Sequence, residues 1–227
     1  MKKFLLLLAC VGSISVLKAQ ATYGIQLHGM LNTASFTAEL DPSPEKDLKF
    51  GFGGGVLAEV PIKGQFALRG ALNYLQKGTK MTEIVSMAEG GGTTEEKSRI
   101  NLHYLELPLL VVYNFNTNTE GWFVGAGPSF GYAIAGKSEV FQTTRIGTQE
   151  ITEYFERKAF EDVEDQGLGF KRFDFGLKAL VGMHVLENGM VQLGYIHGLS
   201  NIASTDDFKG NKFNNRSILL TFGYRFN

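Results

Sequence analysis

The chain has 227 residues, among them 28 glycines, 18 phenylalanines and 8 tyrosines, and its formal net charge is -1. A mean hydropathy of -0.04 excludes a bundle of membrane helices, but strands that alternate apolar with polar residues give such an average. Without residues 1–21, which hold three lysines and no acid, 19 basic and 23 acidic residues remain. We therefore expect no basic patch suited to nucleic acid.

Residues 1–21 are predicted to be a cleaved signal peptide. Two lysines near the start precede an apolar run over 4–17 and an A-x-A cleavage site at 19–21. Thr22 is then the first mature residue, and cleavage after Ala19 is the alternative. A retained anchor is disfavoured because a spanning helix needs about 20 apolar residues.

Cys10 is the only cysteine, and the residues before it resemble the lipobox of a lipoprotein. The apolar run continues beyond Cys10, however, which favours an ordinary position inside the signal peptide. The mature chain then has no cysteine and no disulfide.

Eight segments alternate apolar with polar residues, and a period of two predicts strands whose side chains point to opposite faces. In chain order they cover about 23–36, 49–60, 65–80, 100–115, 122–137, 171–186, 190–199 and 216–226. Pro108 lacks an N–H group and predicts a bulge or a local gap in the fourth segment. One face of the last segment carries Ile218, Leu220, Phe222, Tyr224 and Phe226.

The connections alternate between short and long. Short ones lie near 61–64, 116–121 and 187–189, and long polar ones lie near 37–48, 81–98, 138–169 and 200–215. This pattern predicts an all-β fold, in which residues 22–227 form an eight-stranded antiparallel transmembrane up-and-down β-barrel. The barrel is expected in a cell outer membrane. Both termini are expected in the periplasm and the four long loops outside the cell.

A soluble, lipocalin-like barrel is the alternative, since its strands also alternate apolar with polar residues. It would bury its apolar face and expose its charges. Here the charges lie on the glycine-rich faces, beside faces of Phe, Leu, Val and Tyr. These expected lumenal charges are Glu59, Arg69, Glu106, Arg172, Asp174, Lys178 and Arg225. The pattern favours the membrane barrel, whose polar face is inside.

The interior of an eight-stranded barrel is just wide enough for side chains to fill it, and buried ions need partners there. The expected partners are Arg69 or Arg225 for Glu59 and Glu106, and Arg172 or Lys178 for Asp174. We interpret these pairs as a structural plug, with a narrow proton or ion path as the alternative.

Interfacial aromatic rings are expected at the two membrane–water boundaries. They are Trp122, Tyr132, Tyr113, Tyr195 and Tyr224.

Four segments resemble a known family. They are the Tyr-Leu-Glu-Leu-Pro-Leu-Leu run at 104–110, the glycine-proline strand at 125–132, the segment 173–177 and the closing 223–226. In order and spacing they resemble the PorT-like outer-membrane β-barrel proteins of the Bacteroidetes-type envelope, across essentially the whole mature chain. The resemblance implies an outer-membrane barrel with a cleaved signal, of which one branch is linked to protein secretion, and it supplies no catalytic motif. Asn227, after the final aromatic, departs from the family pattern.

Catalysis has little support in the sequence. Ser129 and His184 both fall on inward faces, as a lipid-acting barrel enzyme would need, but nothing pairs a nucleophile with a base. No histidine spacing indicates a metal, so no catalytic, cofactor or metal residue is predicted. The acidic segment 161–165 lacks EF-hand spacing, and Gly90–Gly92 precedes no helix that would make a phosphate site.

We therefore expect a non-enzymatic outer-membrane protein, in contact with outer-membrane lipid, with a structural or partner-binding role in an envelope or secretion assembly. A narrow channel for small solutes is the second hypothesis, and a lipid-acting enzyme is the third.

Overall fold

The computed structural model describes residues 21–37, 45–86, 92–116, 121–162, 167–203 and 212–226. The predicted signal peptide up to residue 20, Asn227, Gly90, Gly91 and residues 163–165 of the acidic segment lie outside these ranges. Within them, no helix has the length and apolar character that a membrane crossing requires.

Ten strands form the described fold, and eight of them close into a ring. The strands are β1 Thr22–Thr37, β2 Glu45–Asp47, β3 Lys49–Lys63, β4 Phe66–Ser86, β5 Thr93–Asn114, β6 Gly121–Ile146, β7 Gln149–Lys158, β8 Phe173–Val185, β9 Gly189–Gly198 and β10 Lys212–Phe226. Around the ring β1, β3, β4, β5, β6, β8, β9 and β10 each pair antiparallel with the next, and β10 returns to β1. The predicted all-β, eight-stranded, up-and-down barrel is confirmed.

The two faces of the ring have opposite character. In β10, Ile218 and Phe222 are 46% and 55% exposed on the outside, whereas Leu219 and Thr221 are at most 1% exposed on the inside. An apolar outer face around a packed interior is the arrangement of a barrel in lipid. The lipocalin-like alternative is excluded, because it requires the reverse.

Two rows of aromatic residues bound the apolar outer surface. We call the end that holds the first residue of β1 and the last of β10 the terminal end, and the opposite end the loop end. The row at the terminal end is Tyr23, Phe66, Tyr113, Trp122 and Tyr224, and the row at the loop end is Tyr74, Tyr132, Phe173 and Tyr195. On β5 the band runs from Tyr113 to His103, about 10 residues, which at about 40° tilt span about 25 Å, the height of a lipid-facing band.

Pro108 interrupts the ladder between β4 and β5. Gly70 faces Leu109 and Asn73 faces Glu106, while Leu107 and Pro108 have no paired position on β4. The register is the same on both sides, so the feature is the predicted gap rather than a bulge. A bulge lies instead on β6, where Ile134 is an extra residue between the partners of His103 and Tyr104.

The prediction that residues 81–98 and 138–169 are long connections is wrong for most of these residues. β4 extends to Ser86 and β5 starts at Thr93, while β6 extends to Ile146 and turns into β7. These extensions form what we call the projecting sheet: residues 79–86, 93–101, 137–146 and 149–158, with β2 on the β4 edge. Its two faces both meet solvent over β7, so the apolar–polar alternation that marks a strand in the barrel is missing.

Replacing Leu220 with Arg should destabilise the barrel by about 2–4 kcal/mol, since Leu220 lies on the lipid side, between the two aromatic rows. Equilibrium unfolding in phospholipid vesicles measures this. The matched control is Ile151→Arg on the projecting sheet, where an exposed position is expected to change stability by less than about 0.5 kcal/mol. Equal losses from both variants would contradict the placement of the band.

Candidate functional site

The lumen is packed in three layers. An apolar layer near the terminal end contains Leu57, Ala71, Leu110, Val112, Phe123, Leu180 and Met190. An apolar layer at the loop end contains Ala34, Ile100, Leu102, Tyr104, Ala133, Ala159, Phe170, Ile202, Ala203 and Phe213. Charged and amide side chains lie between them, together with a small apolar group of Met30, Leu75, Ile196 and Leu219.

An ion pair borders the terminal layer. Arg69 Nε lies 2.5 Å from Glu59 Oε2, and its Nη1 donates to Gln192 Oε1 at 3.1 Å. The guanidinium carbon lies 4.6 Å from the ring centroid of Phe123, in cation–π contact. This arginine therefore has electrostatic partners on three sides.

Lys77 is the hub of the central layer. Its Nζ lies 2.6 Å from Glu106 Oε2 and 3.3 Å from Asp174 Oδ2, and 4.9 Å from the ring centroid of Tyr104. Asn215 Nδ2 donates to the same oxygen of Asp174 at 2.9 Å. The space beside these side chains is too small for a water molecule. The lysine thus neutralises carboxylates that come from β5 and β8, on other walls of the barrel.

Neutral hydrogen bonds complete the central layer. Gln26 Nε2 donates to Asn73 Oδ1 at 2.6 Å, and His28 Nδ1 lies 2.8 Å from Thr221 Oγ1. Ser217 Oγ donates to Asn32 at 2.6 Å. These bonds join β1 to β4 and to β10, and so they tie the seam of the ring to the polar interior.

A lid covers the lumen at the loop end. The chain at 159–162 and 167–170 and the chain at 199–203 fold inward beyond the ring, where Ala159, Phe170 and Ile202 are buried. Phe170 and Phe213 stack with ring centroids 5.1 Å apart. Backbone bonds from Phe170 N to Ala159 O and from Ile202 N to Phe213 O fix the lid to itself and to β10.

Of the predicted ion pairs, the structure contains the one between Glu59 and Arg69. Glu106 does not reach an arginine, and Asp174 contacts neither Arg172 nor Lys178, because Lys77 lies between the two carboxylates. Lys77 shares the inner face of β4 with Arg69 and Asn73, as a period of two requires. The choice of partner depends on distances across the lumen, which alternation does not encode.

Arg172 is not a lumenal residue. β8 begins one residue later, at Phe173, so the alternation cannot be extended back to Arg172. Its side chain is exposed outside the ring, donates from Nη1 to Ala133 O at 3.2 Å, and lies 5.0 Å from the Phe160 ring centroid.

The other two predicted lumenal cations differ from each other. Lys178 is buried in the lumen and has no ion pair among the described residues. Its charge and that of Lys77 formally cancel those of Glu106 and Asp174. Arg225 is partly buried at the terminal end, beside Gly24 of β1.

The residues considered for catalysis do not meet. Ser129 faces Gly176, whereas His184 faces Gly121, eight residues away along β6. That separation is about 26 Å along a strand. His184 instead lies 4.7 Å from the Phe123 ring in the terminal layer. Among the described ranges, no group of three or more His, Cys, Asp or Glu side chains is arranged to hold a metal ion.

The outer face of the projecting sheet carries a charge ladder. Lys137 Nζ lies 2.9 Å from Glu139 and 3.0 Å from Glu156, and Arg145 Nε lies 2.9 Å from Glu150. Hydrogen bonds from Lys137 and Tyr154 lower the pKa of Glu156 below its usual value. The ladder ties β7 to β6, so β7 is held in place although all ten of its residues are exposed.

The family model for the outer membrane protein beta-barrel domain matches residues 18–204, most of the chain. The chain belongs to this family. The match establishes the outer membrane protein beta-barrel family as a whole. It does not distinguish the PorT-like branch within that family.

Several solved structures of outer-membrane proteins resemble this chain at low sequence identity. Ail, the attachment invasion locus protein of Yersinia pestis, is 13% identical with a TM-score of 0.40, over 91% of this chain and 99% of that chain. Neisserial surface protein A is 16% identical with a TM-score of 0.39, over 90% and 97%. OprG from Pseudomonas aeruginosa is 12% identical with a TM-score of 0.43, over 91% and 97%. A search of curated proteins gave no match.

In this outer-membrane barrel, Lys77→Met should destabilise the fold by about 3–5 kcal/mol, because Glu106 and Asp174 lose their buried counter-ion. Adding Glu106→Gln removes the uncompensated charge and should recover about half of the loss or more. Unfolding in detergent micelles gives the three free energies. Lys97→Met, which breaks an exposed pair with Glu95, is the control and should cost less than about 1 kcal/mol. Additive effects of the two lumenal substitutions would contradict the role of Lys77.

Proposed function

We propose that this outer-membrane barrel is a non-enzymatic, partner-binding protein of the PorT-like type, which presents the projecting sheet to a protein of an envelope or secretion assembly. The observation that carries the proposal is the outer edge of β7, a strand that pairs with β6 and with no other strand among the described residues. We further propose that both termini are periplasmic, so that the projecting sheet lies outside the cell. A sheet anchored by a rigid barrel is a stable platform for such a partner.

The filled lumen supports a binding role over transport. Apolar layers close both ends of the described lumen, and buried ion pairs and hydrogen bonds occupy the layer between them. A conducting path would need water along its length, and the space around Lys77 admits none. The narrow channel is therefore the less favoured function.

The edge of β7 is ready to accept another strand. A two-residue turn with Gly147 at φ +59° joins β6 to β7, and Ile146 pairs with Gln149 next to it. In such a hairpin the closing pair is hydrogen-bonded. Odd-numbered residues of β7 therefore point their backbone groups toward β6, and even-numbered residues, such as Thr152 and Glu156, point theirs away from it.

Side chains on β7 indicate the chemistry of the partner. Ile151 and Phe155 lie on the face that continues the lumenal side and are 58% and 45% exposed. Glu153 and Arg157 are on the same face, and neither has an ion pair within the described residues. An extended segment with apolar residues opposite Ile151 and Phe155, flanked by charges of both signs, fits this edge by β-strand addition. The edge has no proline and no bulge to prevent such pairing.

The reconstituted protein should give no stable unitary conductance steps in planar bilayers, because three packed layers fill the lumen. Heat-modifiable migration on gels verifies that the reconstituted barrel is folded, and bilayers without protein give the background. Reproducible unitary steps from the folded protein would instead favour the channel.

Thr152→Pro should abolish partner binding and leave the barrel folded, because proline removes an N–H that faces the free edge and not β6. The measurement is photocrosslinking in cells from a reactive residue placed at Tyr154, with adducts identified by mass spectrometry. Thr152→Val keeps the N–H and is the matched control.

A discrete protein adduct in the wild-type and Thr152→Val proteins that disappears in Thr152→Pro is the expected result. A reactive residue at the lipid-facing Leu220 gives the background of chance neighbours. Adducts that are identical at Tyr154 and Leu220, or that survive in Thr152→Pro, would refute binding at this edge.

A further inference from the structure

A pocket opens on the outside of the barrel where β6 changes partners. Its lining includes Ile134, Ala135 and Gly136 of β6, and the charged side chains Lys158, Glu161 and Arg172, with Phe160 between them. Its volume is about 180 Å³. The pocket borders both β7, which ends at Lys158, and the loop-end layer, against which Phe160 packs.

The pocket lies at the boundary of the lipid band. Tyr132 faces Phe173 across β6 and β8, and both are 55% exposed in the loop-end aromatic row. Ile134, the next outward residue, is 47% exposed and is the bulged residue of β6. Two residues beyond the aromatic row correspond to about 5 Å along the membrane normal, which is the depth of lipid headgroups.

The polar wall of the pocket is cationic. Arg172 is exposed and its described partners are the Ala133 carbonyl oxygen and the Phe160 ring, so no carboxylate neutralises it. Lys158 Nζ lies 2.7 Å from Glu161 Oε1. Lys171 is exposed beside Arg172 and has no ion pair among the described residues. Among the lining residues, Lys158 and Arg172 against Glu161 give a formal charge of +1, and Lys171 is a further exposed cation next to Arg172 in the chain.

Phe160 holds this wall rigid. A Cβ on Gly136 would lie 2.6 Å from Phe160 Cε2, so the ring packs directly over the glycine. The guanidinium carbon of Arg172 lies 5.0 Å from the centroid of the same ring, in cation–π contact. The guanidinium is thereby positioned before any ligand arrives, which lowers the entropic cost of binding.

We propose that this pocket binds the phosphate of an anionic lipid headgroup in the leaflet at the loop end. Arg172 and Lys158 contact the phosphate oxygens, and Ile134 and Ala135 contact the apolar part of the lipid just below it. Guanidinium and ammonium groups at a membrane surface suit phosphate, and an apolar floor selects a lipid over a soluble anion.

The experiment uses the full-length folded barrel, delipidated in detergent, and native mass spectrometry with phosphatidylglycerol or phosphatidylcholine added. The wild-type protein should retain phosphatidylglycerol preferentially. Each of Arg172→Gln and Lys158→Gln should reduce this retention about fivefold, the value of one basic side chain at a charged lipid surface. The matched control is the pair Lys97→Gln and Arg145→Gln on the projecting sheet, which should leave retention unchanged.

Three outcomes overturn the proposal. They are equal retention of the two lipids, equal losses in the pocket and control variants, or displacement of the lipid by inorganic phosphate at equal concentration, which would make a soluble anion the ligand. Heat-modifiable migration of every variant shows that a loss reflects the pocket and not the fold. Ile134→Asn adds an independent readout, since it keeps the charges and should lower retention only if the apolar floor contacts lipid.

Discussion

Backbone hydrogen bonding in lipid is the constraint on which the rest of this structure depends. An unpaired N–H or carbonyl group in the hydrocarbon region costs several kcal/mol, so a membrane sheet must have no free edge there. The chain meets this requirement by pairing β10 with β1, from Tyr23 opposite Phe226 to Thr37 opposite Lys212. Closing the ring with eight strands then sets the width of the lumen.

A narrow lumen dictates which side chains can face it. Glycines on β3 leave room for neighbours: a Cβ on Gly55 would clash with Asn73 Oδ1, the atom that accepts the hydrogen bond from Gln26. Charges are tolerated in this space only where they cancel. Lys77 meets that condition by contacting carboxylates from two other strands, so one side chain ties β4 to β5 and β8 across the interior.

The sequence predicts the barrel well because lipid and lumen impose opposite demands on alternate residues. The ring, the lipid-facing side of β10 and the gap at Pro108 all follow from that alternation and from the chemistry of proline. The same rule fails beyond the membrane, where β7 has no buried side and its residues show no period of two. It also fails at Arg172, because alternation has meaning only inside a strand.

The exit from the membrane also explains why the free edge and the pocket lie next to each other. β6 pairs with β8 up to Tyr132 and with β7 from Lys137 onward, so residues 133–136 have no strand on that side. Separate bonds close this gap: Ala133 N donates to Arg172 O, and Ala159 N donates to Gly136 O. Such a change of partner is tolerated only where water or the chain itself can hydrogen-bond the backbone groups that lose a strand partner. That condition holds at the membrane surface. Once β6 has left the ring, β7 pairs with β6 alone within the described ranges, and the opening between β7 and β8 leaves space for a headgroup.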